Sequence, residues 1–195
     1  IIHFFEIPSP HTTLLVESTT RVTTIPIAAD PAQSPVPLAR LPECRRTERC
    51  FDFLQESAHV EASPEAWRLA LDVTAGAQDI WQAACAIMNH VHANFAYTPN
   101  VTSVHTHMRD VLIDRRGVCQ DLAHVMIGLC RAIQIPALYV SGYLYNGPRE
   151  HLLGSQATHA WCEVFIPGLG WCGLDPTNNR RTDEHYIKIA IGRDY

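Results

Sequence analysis

Hydrophobic positions recur along this chain at two periods, and the places where one gives way to the other mark out its elements. Over residues 12–25, Leu14, Val16, Thr20 and Val22 alternate with Glu17, Thr19, Arg21 and Thr23, a period of two rich in β-branched residues that predicts a strand. With His3 to Ile7 it suggests a small N-terminal β unit. Four prolines between Ala29 and Pro42 then remove backbone donors and bias their predecessors away from helix, predicting a linker over the rest of residues 1–42. Beyond it the period becomes helical. Ser63 as cap, Pro64 at the first helical position, Glu65 in the first turn and Gly76 after the last frame one helix. Ile80, Ala84, Ile87, Val91 and Phe95 build the buried face of a second, from about Gln78 to Phe95. A short helix is expected over Thr106–Asp114. Leu122, Met126, Leu129, Cys130 and Ile133 continue a stripe from Cys119 until Pro136 ends it. Strands are expected over Ala137–Tyr145 and Ala157–Ile166, then a tight turn at Pro167-Gly168-Leu169-Gly170 and a returning strand, Trp171–Asp175. Helices followed by strands predict an α+β fold, helices packed on an antiparallel sheet, rather than a doubly wound one.

Composition narrows the class. At 195 residues and 47% hydrophobic content the chain can bury a core, and residues 43–195 form its main domain after the N-terminal unit. Fifteen basic against twenty acidic residues, a formal charge of −5 without long like-charge blocks, argue against a nucleic-acid footprint or a polybasic membrane patch. No apolar run reaches the roughly 18–20 residues of a membrane span. Seven cysteines, an odd number with no CxxC pair, suit reduced thiols better than a disulfide framework, so a cytoplasmic location is expected.

The chemistry concentrates in three places. Cys119 follows Gly117-Val118 where a helix begins, and there the unpaired N–H groups and the positive end of the macrodipole favour a thiolate. His159 lies near the start of one predicted strand and Asp175 at the end of the next. In a hairpin turning at 167–170 those two positions meet at one end of the sheet. If the Cys119 helix packs with its N-terminus at that end, thiol, imidazole and carboxylate form the nucleophile, base and orienting group of covalent acyl transfer. The oxyanion would be met by the Cys119 N–H and a second donor, for which Gln120 and Tyr97 are candidates.

Other reactive side chains have plainer readings. Cys162 and Cys172 flank the hairpin, but two ligands do not make a zinc site, and they read as small core residues. His105 and His107 sit at a helix start, and His90 and His92 are badly spaced for one helical face, so neither pair is assigned to metal. Period two places Trp161 and Glu163 on the face of His159, and Cys162 with Val164 on the other. Trp161 and Trp171 read as core or groove-wall aromatics.

Gly117-Val118-Cys119-Gln120-Asp121, Ile135-Pro136-Ala137 to Gly142-Tyr143, His159-Ala160-Trp161 with Glu163-Val164, and Gly170-Trp171 to Asp175-Pro176-Thr177-Asn178 together resemble the transglutaminase-like superfamily, specifically its bacterial cysteine peptidase group. Phe4 to Val16 is similar to that group's N-terminal β-domain. Gly192-Arg193-Asp194-Tyr195 is similar to a segment that its pattern continues beyond. The resemblance implies a papain-like core after a small N-terminal β-domain, a Cys119-His159-Asp175 triad, a thioester intermediate, a peptide or protein substrate, and no cofactor or metal for the chemistry. The calcium loop and extra β-domains of the animal crosslinking enzymes are not seen in the sequence. Water as acceptor implies a cysteine protease or amidase, an amine a transglutaminase. A binding module of the same fold without catalysis is the alternative of another class.

Overall fold

The computed structural model describes residues 6–17, 19–26, 30–145, 153 and 158–195. Local capping explains where its helices begin. After two short helices, α1 (Leu41–Arg45) and α2 (Glu48–Phe51), Ser63 Oγ accepts the Ala66 N–H at 3.1 Å and starts α3 (Pro64–Thr74), satisfying one of the N–H groups a helix leaves free. Asp79 does the same for α4 (Ile80–Asn94), its Oδ1 2.8 Å from Gln82 N. The expected apolar face of α4 is buried, with Ile80, Ala84, Ile87 and Val91 shut off from solvent.

Two residue pairs, β1 (Ala96–Tyr97) and β2 (Arg116–Gly117), form a small parallel ladder on either side of α5 (Met108–Asp114). Helix α6 (Cys119–Ala132) follows directly. It packs between α3, α4 and α5 on one side and the sheet on the other, so Gln120 to Arg131 are buried all round rather than along a stripe. Gly128 permits the approach of α5, since a Cβ there would meet Met108 Sδ at 2.1 Å. Arg131, a buried charged residue near the end of the helix, donates to the carbonyls of Phe53, Gln55, Ala137 and Arg193. Those bonds tie the inter-helix segment, the sheet and the C-terminal segment to α6.

The main sheet has five antiparallel strands in the order β6-β5-β4-β3-β7: β3 Ala137–Leu144, β4 Thr158–Ile166, β5 Gly170–Asp175, β6 Arg180–Arg181 and β7 Tyr186–Gly192. Its side-chain period of two separates two packed layers. Ala137, Tyr139, Ala160, Cys162, Val164 and Leu174 join the helices in the main core. Leu138, Val140, Trp161 and Tyr186 form a smaller cluster on the other face, against Phe53. Gly142 is required there: a Cβ would come within 2.1 Å of the Ile187 carbonyl and 2.6 Å of Trp161.

The N-terminal region departs from the strand expected over 12–25. The described residues of that stretch carry no ladder and are largely exposed, Leu15 at 88%. Alternation becomes a strand only where a neighbouring edge takes its backbone groups, and among the described residues none is offered. His3 to Phe5 lie outside the described residues. The proline-rich stretch is docked, with the Val36 carbonyl accepting Ile80 N–H at 3.0 Å and Val36 entering the core. Strand β7 and helices α1 and α2 were not expected. No helix among the described residues is long and apolar enough to cross a membrane.

Candidate active site

The turn that delivers Cys119 is held from inside the helix it starts. Asp121 Oδ2 accepts the Val118 N–H at 2.8 Å and the Thr102 hydroxyl at 2.6 Å, while Thr98 N donates to the Gly117 carbonyl at 2.8 Å. A Cβ at Gly117 would stand 2.6 Å from Asp121 Cβ, which accounts for the glycine. Asp121 is buried, and burial outweighs these hydrogen bonds to hold its carboxyl above the usual range. Cys119 is half-buried. With Val104, Val118 and Gln120 it lines one side of a cleft of about 290 Å³, opposite Tyr139, Ser141, His159 and Tyr195.

On the sheet, Cys162 pairs with Leu174 and the hairpin continues to Asp175, so His159 and Asp175 come together at one end as the hairpin geometry requires. His159 Nε2 and Asp175 Oδ2 are 2.8 Å apart with both side chains fully buried. Asp175 performs two tasks. Its Oδ1 accepts Thr177 N and Asn178 N at 2.9 and 3.3 Å, closing the Asp-Pro turn. Its Oδ2 takes His159 together with Asn178 Nδ2 and the Tyr186 hydroxyl, both at 2.7 Å. Burial alone would raise this carboxyl, but His159, Asn178 and Tyr186 hold it below the usual range. Burial likewise opposes a charge on His159, yet the hydrogen bond to Asp175, followed by Cys119, lifts the imidazole from 6.5 to about 9. With Nε2 committed to Asp175, Nδ1 is the ring nitrogen left for the thiol. It is buried and has no hydrogen-bond partner among the described residues.

The structure therefore brings Cys119, His159 and Asp175 to one place. The two oxyanion candidates also lie near the thiol: Gln120 lines the cleft with its Nε2 3.3 Å from the Val104 carbonyl, and the half-buried Tyr97 phenol is raised by burial and by Cys119. Glu163 shares the face of His159 but pairs with Lys188 at 2.6 Å. Cys162 and Cys172 do not face each other, since Cys172 pairs with Val164. His92 Nδ1 lies 3.1 Å from the Thr177 carbonyl, bracing the turn behind Asp175, while His90 contacts Asn94. Among the described residues no three His, Cys, Asp or Glu side chains are grouped to hold a metal ion.

Several site residues escaped the sequence reading. Asn178 had a local signal, since it stands three residues after the aspartate of an Asp-Pro that begins a turn. Tyr186, Thr102 and Tyr195 had none, because each reaches the site only through tertiary register.

A papain-like α+β fold, with a cysteine at the start of the central helix and a histidine–aspartate pair on the adjoining sheet, defines the class. The transglutaminase-like superfamily pattern matches residues 68–176, and the chain belongs to that superfamily. An uncharacterised protein of Mycobacterium tuberculosis is 32% identical over 214 residues, covering this whole chain and 66% of the relative. This chain thus spans just under two thirds of that relative's length. A protein-glutamine gamma-glutamyltransferase of Pseudomonas aeruginosa is 36% identical over 126 residues, 60% of this chain and 19% of that protein. Among solved structures, a candidate cysteine protease of Cytophaga hutchinsonii superposes with a TM-score of 0.64 at 30% identity, over 75% of this chain and 48% of the other. The periplasmic domain of TgpA from Pseudomonas aeruginosa gives 0.51 at 32% identity, over 71% and 48%.

Proposed function

We propose that the protein is a cysteine hydrolase that cleaves amide bonds of peptides or proteins through a thioester. The observation that carries this reading is the shared cleft of Cys119 and His159, with Asp175 fixed behind the imidazole at 2.8 Å. Cys119 Sγ, as the thiolate partner of the His159 imidazolium, attacks the carbonyl carbon. The S–C bond forms as the carbonyl π pair moves onto oxygen, where the first N–H groups of α6, free of intrahelical acceptors, can meet it. Collapse expels the amine, which takes its proton from His159 Nδ1. His159, now neutral, draws a proton from water, and the hydroxyl oxygen attacks the thioester and releases the acid and the thiol. Asp175 stays ionised throughout and holds the ring by Nε2–H.

A transferase reading, in which an amine replaces that water, is favoured by the similarity to the Pseudomonas aeruginosa gamma-glutamyltransferase. Incubation of the full-length protein with a glutamine-containing peptide and a labelled primary amine separates the two. Free acid without incorporated label is expected; label incorporated in preference to acid would establish the transferase. Absence of any acyl-enzyme, sought by trapping the Cys119 thioester and mass analysis, would leave a non-catalytic binding module.

A further inference from the structure

The cleft does not end at the thiol. Tyr139, Ser141 and Tyr195 also line a second concavity of about 210 Å³, completed by Ala190, Ile191, Gly192 and Asp194. Register explains its shape: Ser141 pairs with Ala190 and Tyr139 with Gly192, so these four residues share one face and the β7 half of the floor carries almost no side-chain volume. Its wall is fixed. Gly192 lets the chain fold back on itself, since a Cβ there would stand 2.6 Å from the Asp194 carbonyl oxygen. Asp194 Oδ2 then accepts His59 N–H at 2.7 Å, Tyr195 N–H donates to His124 Nε2 at 3.2 Å, and the Tyr195 ring sits edge-on to Tyr139 with centroids 6.2 Å apart.

From this continuity with the cleft, and resting on the proposed cysteine hydrolase reading, we infer that the concavity is a specificity subsite for one bulky aliphatic or aromatic side chain of an extended polypeptide substrate. The exposed Tyr195 ring and two residues without a side chain beyond Cβ offer apolar surface, above the largely buried Tyr139 ring. Asp194, the carboxylate side chain among the described residues that line it, is engaged by the His59 amide. Among the described residues strand β7 is the outer strand of the sheet, and an extended peptide is the ligand that such an edge suits.

The test is a peptide library, varied on both sides of the cleaved bond, offered to the full-length wild-type protein, Ala190→Leu and Ala190→Trp. p-Nitrophenyl acetate serves as a small ester that reports thiol acylation in the wild type. The wild type is expected to favour Leu, Met or Phe over Ala at one position by at least tenfold in kcat/KM. Ala190→Leu should compress that ratio, and Ala190→Trp should abolish or invert it, chiefly through KM. A wild-type preference that is flat at every position, or one that the Ala190→Leu protein retains undiminished, overturns the subsite even though the ester is hydrolysed. Failure of the wild type to hydrolyse both ester and peptides would instead overturn the cysteine hydrolase reading and the subsite with it.

Discussion

The Nε2 atom of His159 lies 2.8 Å from Asp175 Oδ2, sealed from solvent, and the same carboxylate is held by Thr177, Asn178 and Tyr186. A buried carboxylate with five donors keeps its charge and holds the imidazole by Nε2, which leaves Nδ1 to serve the thiol in the proposed chemistry. Asp175→Asn preserves volume but can present its NH2 group to the ring and select the wrong tautomer. In the proposed chemistry it should lower kcat by about 10²–10⁴-fold, the scale seen when a triad loses its orienting acid. Steady-state kinetics with unchanged circular dichroism would check it. Tyr186→Phe removes one of several donors and should cost far less, about tenfold or below.

The raised imidazole sets a pH window. His159 titrates near 9 in the folded protein against an ordinary 6.5, so the imidazolium persists through neutrality. Activity that depends on a thiolate–imidazolium pair should fall as pH rises through about 9, and Asp175→Asn should move that limb down. Stability follows the same sign. The folded state holds the proton more tightly, so the contribution is complete below pH 6.5 and lost as pH rises through 9, amounting to roughly 3 kcal/mol. Thermal unfolding from pH 6 to 10 reads it, and a midpoint that fails to decline in the wild type relative to His159→Gln would refute it.

Asp121 shows how much of the site was legible and where legibility stops. Its place two residues after Cys119 was evident, as were the hairpin and the cap at Ser63, because all are local patterns written within a few residues. Its burial was not. A helix read from one apolar stripe predicts an outer polar face, whereas α6 is enclosed by α3, α4, α5 and the sheet, and its polar residues survive there by meeting distant partners such as Thr102, Phe53 and Arg193. Strand β7 carries alternation in Tyr186, Lys188 and Ala190, yet its pairing with β3 depends on chain reversals that no short window encodes. The expected 12–25 strand erred in the opposite direction, a good local pattern without a partner edge.

The raised carboxyl of Asp121 makes a sharp comparison possible. Burial disfavours its charge, so Asp121→Asn keeps an acceptor for the Val118 N–H while removing the cost of ionisation. That variant should retain its melting temperature and most of its activity. Asp121→Ala leaves the Val118 N–H and the Thr102 hydroxyl without their acceptor and should lose about 1–3 kcal/mol, with a larger loss of activity because the Gly117–Cys119 turn is released. Equal damage from Asn and Ala would show that charge, and not the acceptor, holds the turn.

Selective alkylation examines the thiol itself. Cys44, Cys50, Cys130 and Cys162 are fully buried, and burial pushes Cys85 and Cys172 up to about 12 and about 11, where almost no thiolate exists at neutral pH. Cys119 opens into the cleft beside an imidazole that stays charged to about pH 9, and the thiolate is the reactive form. Substoichiometric iodoacetamide at pH 6 should therefore modify Cys119 ahead of the other six cysteines, located by peptide mass mapping. His159→Ala removes the counter-ion and should slow that modification by tenfold or more, while leaving a denatured-state labelling control unchanged. A Cys119 that reacts no faster than Cys172, or that ignores the loss of His159, would separate the geometry of this site from the nucleophilic chemistry proposed for it.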